Sequence, residues 1–395
     1  MNCPKRTSRR RALQSLAAAA AFTVLAGPAL AADPFKIGLI LPLTGPFAST
    51  GKQIEAACRL YIAKNGDTVA GRKIELIVKD DTGLAPETTK RIAQELVVQD
   101  KVNVLAGFGL TPLALATAPV ATEAKVPMIV MAAATGMIPT RSPFIVRANF
   151  TLPQVTAPIA EWALKNKIRR VVTMVTDYGP GIDAEKAFVA TFKAGGGEIV
   201  ESIRTPLRNP DYAPFLQRAK DAKPDALFVF VPSGEGLAVM KQFDERGLKQ
   251  AGIRLIGTGD VTDDDLLESM GAPAVGVITS FHYSAAHDSP ENKAYVDAFM
   301  KANNGMRPNF HSLGGYDGMH LIYEALRKAG PNATGVELVE AMKGMKWTSP
   351  RGPLAIDPAT RQPIQTVYLR EVKMVNGKPW NIEFDKVENV KDPGN

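Results

Sequence analysis

The chain has 395 residues, of which 45% are hydrophobic and 7% aromatic, so it can bury a sizeable core and form more than one domain. Its formal net charge is +7, but five of the positive charges lie within the first 31 residues, which contain no acidic residue. The remainder therefore carries only about +2, which gives no electrostatic support to a nucleic-acid partner.

The amino terminus has the features of an export signal. Five basic residues precede the apolar residues 13–25, and a Gly-Pro pair then leads to the small-residue sequence at 29–31. The apolar stretch is too short to span a membrane, so we expect residues 1–31 to be cleaved off near Ala31 and the mature protein to reside in the periplasm. Residues 8–13 also fit a twin-arginine signal, and both export routes stay open.

From residue 35 to about residue 150, apolar segments of strand length alternate with helical patterns. The strands are continuously apolar, as expected for a parallel sheet that is covered by helices on both faces. The predicted strand and helix pairs are FKIGLIL with KQIEAACRLYIA, KIELIVKDD with PETTKRIAQELVV, and VNVLAGF with LALATAPVATEA, and the strand VPMIVMAAA follows. This order predicts a doubly wound α/β sheet.

A second series of the same kind begins near residue 151. Its strands include RRVVTMVTD, ALFVFVP and IRLIGTGD, and two amphipathic helices and a set of antiparallel strands with an Asn376-Gly377 hairpin turn follow. Because no low-complexity linker separates the two series, we expect several chain crossings between two lobes. We assign residues 32–150 and 282–346 to the first lobe, and residues 151–281 and 347–395 to the second.

The loop after the first strand reads LPLTGPFASTGKQ. Five residues separate Gly45 from Gly51 and Gln53 follows the lysine, so both the spacing and the magnesium ligand of a phosphate-binding P-loop are missing. We expect Ser49 and Thr50 to precede a helix N-terminus, where backbone N–H groups favour an anion. The alternative is that one of these hydroxyls only caps the helix.

Two further strand ends in the first series carry similar groups. Thr111 lies between a strand and a helix, and Ala133, Ala134 and Thr135 come just after the next strand. The glycines of AGFG do not complete a dinucleotide-binding pattern. Each threonine is also a plausible cap, but three neighbouring strand ends with hydroxyls and open N–H groups predict a site for a small carboxylate.

In the second series, Tyr178 and Asp260 come directly after strands. Asp260 has two interpretations, as the acceptor for a ligand ammonium group or as a brace for its own loop. We expect residues 263–265, three consecutive aspartates, to occupy the first turn of a helix and to complement its dipole. The spacing and the glycine of a calcium-binding EF-hand are absent here.

The sequence contains no recognisable catalytic or metal-binding constellation. It has no HExxH or GxSxG motif, and its four histidines show no metal-ligand spacing: His282, His287, His311 and His320. Once Cys3 has left with the signal, Cys58 remains alone at helical spacing, and we expect a buried thiol rather than a nucleophile. We therefore predict no catalytic residue, no metal and no cofactor, although a secreted α/β enzyme stays an alternative.

Taken in order, several segments resemble one family. They are IGLILPLTGPFASTGKQIEAACRLYIA, GRKIELIVKDDTGLAPETTKRIAQELV, MAAAT, TDYGPG and NPDYAPFLQRAKDAKPDALFVF. From about residue 35 to about residue 385 the chain resembles the leucine/isoleucine/valine-binding proteins, which are periplasmic solute-binding components of ABC transporters with a type I fold. Sugar repressors share this fold, but they carry a DNA-binding helix-turn-helix where this chain has its export signal.

The resemblance implies a ligand held between two lobes. Thr111 and Thr135 match the positions that take the α-carboxylate of an amino acid, and a carbonyl near Ala133 would help to hold its ammonium group. Tyr178 matches a tyrosine that closes over the ligand, and Asp260 matches the acidic residue of the ammonium site.

Two departures from the family pattern stand out. Thr50 replaces an aromatic residue that packs on branched-chain ligands, and Gly83 and Leu110 stand near the places of a disulfide that this chain lacks. The resemblance thus implies a non-catalytic receptor that delivers a small carboxylate-bearing ligand to a membrane permease. A branched-chain amino acid is the first expectation, and an aromatic or other small organic acid is the alternative.

Overall fold

The computed structural model describes residue 1, residues 33–208 and residues 210–394. The predicted export signal and its cleavage point near Ala31 lie outside these residues, apart from Met1. Among the described residues, no helix combines the length and the apolar character that crossing a membrane requires.

The first sheet has six strands in the order β2-β3-β1-β4-β5-β6. They are β1 (Phe35–Leu41), β2 (Thr68–Val69), β3 (Arg72–Asp80), β4 (Val104–Gly107), β5 (Met128–Val130) and β6 (Ile145–Arg147). All neighbours are parallel except β2, which pairs with β3 in antiparallel orientation. Because β1 lies between β3 and β4, the chain reverses its winding there, which opens a crevice at the carboxyl ends of β1 and β4.

The second sheet has nine strands in the order β12-β13-β14-β11-β10-β9-β7-β8, with β15 paired to β14. They are β7 (Arg170–Thr176), β8 (Glu198–Thr205), β9 (Ala226–Phe230), β10 (Arg254–Thr258), β11 (Ile278–Phe281), β12 (Lys346–Ser349), β13 (Gly352–Ile356), β14 (Pro363–Val375) and β15 (Lys378–Val390). Strands β7 to β11 are parallel and the last four strands are antiparallel. The switch in winding lies between β7 and β9.

Helices cover the two sheets. They are α1 (Ala48–Asn65), α2 (Pro86–Val98), α3 (Thr111–Ala124), α4 (Leu152–Lys165), α5 (Gly179–Ala194), α6 (Ala213–Asp221), α7 (Gly236–Glu245), α8 (Leu267–Met270), α9 (Pro290–Ala302), α10 (Phe310–Ala329) and α11 (Gly335–Met342). The predicted architecture of two doubly wound, mainly parallel sheets is confirmed.

The chain passes between the two sheets more than once. After β11 of the second sheet, α10 packs against α1, and its side chains join the apolar core of the first sheet. Cys58 is buried at this contact, with its sulfur 3.8 Å from the carbonyl oxygen of Gly315, as expected for a small apolar side chain. The chain then returns to the second sheet at β12. The exact boundaries of the two lobes stay a prediction.

Candidate functional site

Helix α1 begins four residues before the predicted segment KQIEAACRLYIA. It starts at Ala48 instead of Lys52, so Ser49 and Thr50 lie within its first turn. Neither caps the helix, because Phe47 is the N-cap residue and no side chain bonds to the free N–H groups. The expectation that these hydroxyls precede or cap the helix is wrong. Gly51, read as a loop residue, is a helical residue so close to the Pro42 carbonyl that a Cβ would lie 2.1 Å from its oxygen.

The two threonines of the next strand ends lie side by side. Thr111 is the first residue of α3 and Thr135 follows β5, and their hydroxyl oxygens are 3.0 Å apart. Both side chains are buried. Neither caps a helix, since Leu110 occupies the N-cap position of α3 without a side-chain bond. The pair lies beside the N-terminus of α3, where the helix dipole favours an anion, and Thr111 is the member that faces the cavity.

A buried arginine holds the loop after β5 from behind. The Arg147 guanidinium donates to the carbonyl oxygens of Ala133 and Thr135, to that of Phe150 at 3.3 Å, and to Oε1 of Gln362 at 2.8 Å. Sequence reasoning missed Arg147, because a single basic residue at the end of a three-residue strand resembles an exposed strand terminus.

The charge of Arg147 has no direct carboxylate partner among the described residues. Two other arginines are equally buried, and each has one: Arg351 lies 2.9 Å from Asp317, and Arg370 lies 3.9 Å from Asp264. Burial lowers the pKa of Arg147 to about 10, although the more distant carboxylates of Asp392 and Asp183 act in the opposite direction, so the side chain stays charged at neutral pH. A buried cation of this kind is costly unless an anion compensates it.

Arg147 also orients two peptide groups. The C=O and N–H of one trans peptide point in opposite directions, so a carbonyl that faces Arg147 sends the next N–H away from it. The N–H of Ala134 therefore points away from Arg147 and meets no acceptor in the described part of the chain, and Ala133 and Ala134 both line the cavity. The second carbonyl that Arg147 holds is that of Thr135, and the N–H of the same peptide group, that of Gly136, donates to Asp183 at 3.0 Å.

The N-terminus of α5 approaches the same place from the second sheet. Tyr178 is its N-cap residue and stacks on Phe230, with ring centroids 6.1 Å apart. Gly179 follows, and a Cβ there would lie 2.6 Å from the Thr135 hydroxyl oxygen. The N-termini of α3 and α5 thus converge on the paired hydroxyls of Thr111 and Thr135.

Asp260 lies in the short 3-10 turn that follows β10, and it is buried. One of its carboxylate oxygens accepts a hydrogen bond of 2.9 Å from the hydroxyl of Thr258. Removal from water raises the pKa of Asp260 to about 7, although Thr258 and Arg370 act in the opposite direction. The carboxyl group can therefore gain or lose a proton near neutral pH when a charged ligand arrives.

The expectation for the three consecutive aspartates at 263–265 is wrong. The helix that follows them begins only at Leu267. The 3-10 turn before them directs Asp263 and Asp264 inward, where they are buried. Asp263 accepts from Asn309 at 3.2 Å and Asp264 from Asn381 at 2.8 Å. They brace the interior and do not complement a helix dipole.

These groups surround one small cavity, in which the centre of a water-sized sphere can occupy about 30 Å³. Six of the seven predicted site residues line it: Thr50, Thr111, Ala133, Ala134, Tyr178 and Asp260. Thr135 stands behind Thr111, to which it is hydrogen-bonded. Side chains that no sequence pattern selected also line the cavity, namely Phe47, Phe150, Phe230, Ser233 and His311.

Hydrogen bonds join the residues on the two sides of the cavity directly. Besides the bond from Gly136 to Asp183, the hydroxyl of Ser49 donates to Asp265 at 2.5 Å and Arg208 donates to the carbonyl of Leu84 at 2.9 Å. The structure therefore has the closed arrangement of the two sheets. Within the described residues, no cluster of three or more side chains suited to a metal ion is present.

Comparison with known proteins gives a consistent result. A family model described as a periplasmic binding protein matches residues 34–378. Among curated proteins, the Leu/Ile/Val-binding protein homolog 6 of Brucella melitensis biotype 1 is 45% identical over 383 residues, which cover 96% of this chain and 98% of the relative.

Two solved structures from Rhodopseudomonas palustris are also similar. The solute-binding protein of an ABC transporter from strain BisB5, in complex with 3,4-dihydroxybenzoic acid, is 61% identical with a TM-score of 0.89, and the match covers 91% of this chain and 99% of that one. A second solute-binding protein, in complex with 4-hydroxybenzoate, is 41% identical with a TM-score of 0.89, covering 91% and 98%. These matches extend over nearly the whole of both chains.

Proposed function

The chain belongs to the periplasmic binding protein family, and we propose that it captures an aromatic carboxylic acid in the periplasm and delivers it to the membrane permease of an ABC transporter. It acts without catalysis: the ligand binds between the two sheets, stabilises the closed arrangement and leaves unchanged. The proposed ligand-binding residues are Thr50, Thr111, Ala133, Ala134, Thr135, Tyr178 and Asp260.

The observation that carries this proposal is the anion site around Ala134. A free N–H, the hydroxyl of Thr111 with that of Thr135 hydrogen-bonded behind it, and two helix N-termini lie there, and the buried guanidinium of Arg147 holds the loop that carries Ala133 and Thr135. A ligand carboxylate would accept the hydrogen bonds and would compensate the charge of Arg147. Such an arrangement favours an anion over a neutral molecule of the same shape.

Flat apolar walls support an aromatic ring as the remainder of the ligand. Phe47, Phe150, Phe230 and Tyr178 contribute rings to the wall of the cavity. Aromatic rings pack favourably against one another in stacked or edge-to-face geometry. The two relatives from Rhodopseudomonas palustris, which were crystallised with hydroxylated benzoic acids, support the same ligand class.

A branched-chain amino acid is the second candidate. Asp260 favours it, since a buried carboxylate suits an ammonium group, and the name of the Brucella relative agrees. The carbonyl of Ala133 argues against an amino acid. The family resemblance places the ligand ammonium group beside this carbonyl. That carbonyl already accepts a hydrogen bond from Arg147, and an ammonium group there would be repelled by the guanidinium.

A binding panel tests the proposal. Mature protein is unfolded and refolded to remove any carried-over ligand, and its melting temperature is measured with benzoate, 4-hydroxybenzoate, 3,4-dihydroxybenzoate, leucine, isoleucine and valine. A ligand present at about 1,000 times its dissociation constant stabilises the folded protein by roughly 4 kcal/mol, a shift of several degrees. We expect this shift with at least one aromatic acid, recovered chemically unchanged. A shift with the amino acids alone would establish the second candidate.

The proton balance of binding separates the two candidates independently. An anion that enters beside Asp260 raises its pKa further, so binding of benzoate is expected to take up protons, and its affinity falls as pH rises through about 7, by at most about tenfold per pH unit. An ammonium group lowers this pKa, so leucine would release protons and bind more tightly at higher pH. Calorimetry between pH 6 and 8 in two buffers of different ionisation enthalpy counts the protons, and Asp260→Asn should abolish the linkage. Proton release with benzoate would contradict this account.

A further inference from the structure

One polar side chain on the cavity wall has no role in the site described so far. His311 lies in the first turn of α10, lines the cavity and is only 6% exposed. No function was predicted for His311 from the sequence, because it matches no catalytic or metal-binding motif.

The imidazole of His311 is unsatisfied. Its Nδ1 is buried without a hydrogen-bond partner, and no group in the described residues bonds to its Nε2. Two of the other histidines do have partners, since His287 contacts Glu383 at 2.8 Å and His320 contacts Tyr61 at 3.2 Å. His282 has none, but it is stacked behind Phe150 and does not reach the cavity.

The ring is nevertheless held firmly in place. Asn309 caps α10 by accepting from the backbone N–H of His311 at 2.9 Å, and the imidazole packs on the ring of Phe310 with centroids 3.9 Å apart. Phe310 in turn contacts Phe281, against which Gly259 lies, one residue before Asp260. His311 is thus connected through two rings to the turn that carries Asp260.

The chemistry of this imidazole is that of a neutral donor and acceptor. Burial lowers the pKa of His311 to about 3, so the ring is uncharged at neutral pH and offers one N–H and one lone pair. A buried polar group without a partner weakens the fold, and a ligand that satisfies it gains affinity from doing so. A hydroxyl can both donate to and accept from such a ring, whereas a bare C–H edge can do neither.

We propose that His311 binds the hydroxyl group of a ring-hydroxylated aromatic acid and makes this site selective for hydroxybenzoates over benzoate. The inference rests on the proposed function and adds to it a subclass of ligand and the residue that recognises it. It predicts that the unaltered protein binds at least one hydroxybenzoate more tightly than benzoate.

The test compares His311→Phe and His311→Gln with the unaltered protein by calorimetry. The probes are benzoate, 4-hydroxybenzoate and 3,4-dihydroxybenzoate. Phenylalanine keeps a flat ring against Phe310 but removes both polar atoms, and we expect it to weaken the preferred hydroxybenzoate about tenfold or more while benzoate changes by less than about threefold. Glutamine keeps a donor and an acceptor and should recover part of the loss.

Any other outcome of this test contradicts either the inference about His311 or the proposed function. If both variants weaken all three acids equally, His311 only packs or binds a water molecule, and the inference fails while the proposed function stands. The inference also fails if the unaltered protein binds benzoate as tightly as the hydroxybenzoates. If the unaltered protein binds none of the acids, the proposed function fails and the inference fails with it.

Discussion

Replacing Arg147 with methionine is expected to reduce affinity for aromatic carboxylates by about 30-fold or more. Removing one partner from a buried, hydrogen-bonded charge interaction typically costs 2–5 kcal/mol, and 2 kcal/mol corresponds to about 30-fold. The variant loses the cation behind the anion site and also the bond to the Ala133 carbonyl, whose peptide group carries the N–H of Ala134. Arg147→Lys keeps the charge but cannot reach both carbonyls, so an intermediate affinity is expected.

The charge effect is separated from simple loss of stability by a neutral probe and a matched variant. Calorimetry with 4-hydroxybenzoate and 4-hydroxybenzamide gives the ratio of acid to amide affinity, which should fall in Arg147→Met. Arg361 also donates to carbonyls of this region, those of Ile145, Pro139 and Ser142, but it does not contact the anion site. Arg361→Met should lower the melting temperature and leave the ratio unchanged. An unchanged ratio in Arg147→Met would show that the guanidinium only supports the fold.

Replacing Gly179 with valine is expected to reduce ligand affinity by about 100-fold or more. In the closed arrangement, a Cβ at this position lies 2.6 Å from the hydroxyl oxygen of Thr135 and 3.4 Å from Cγ2 of Thr111. The Thr135 side chain is short, branched and bonded to Thr111, so it has little freedom to move aside. The added group therefore prevents closure or disrupts the paired hydroxyls.

Binding and shape should change together in this variant. Calorimetry gives the affinity, and small-angle X-ray scattering with saturating 4-hydroxybenzoate gives the radius of gyration, which we expect to stay at its ligand-free value in Gly179→Val. Ala190→Val, an exposed change on the same helix, is the control and should still contract with ligand. Full affinity in Gly179→Val would mean that α5 does not close onto Thr111 and Thr135.

Local patterns predicted most of the fold. The segment PETTKRIAQELVV forms α2 residue for residue, because a proline at its start and apolar residues at helical spacing define both the helix and its buried face. The Asn376-Gly377 turn joins β14 to β15, with φ of 50° and 77°, as its residue types require. The start of α1 was missed because a glycine that is needed for close packing looks like a glycine that is needed for a turn.

Only candidate site residues that follow strands could be selected from the sequence. Thr111, Ala134 and Tyr178 follow strands, and the carboxyl ends of parallel strands meet at one edge, so their proximity could be expected. No local sequence pattern distinguishes Arg147 or His311 as a candidate site residue. Their roles depend on burial and on contacts with residues that are remote in the sequence, which periodicity does not encode.

The contact between α1 and α10 has a consequence for how this molecule is made. The sulfur of Cys58 is covered by Gly315, which the ribosome adds 257 residues later. Until α10 docks the thiol is uncovered, and a chain that is exported before it folds would expose it in a compartment without reducing buffers, where it can form a sulfenic acid or a mixed disulfide. In the folded protein the sulfur is buried, so this exposure ends once α10 has docked.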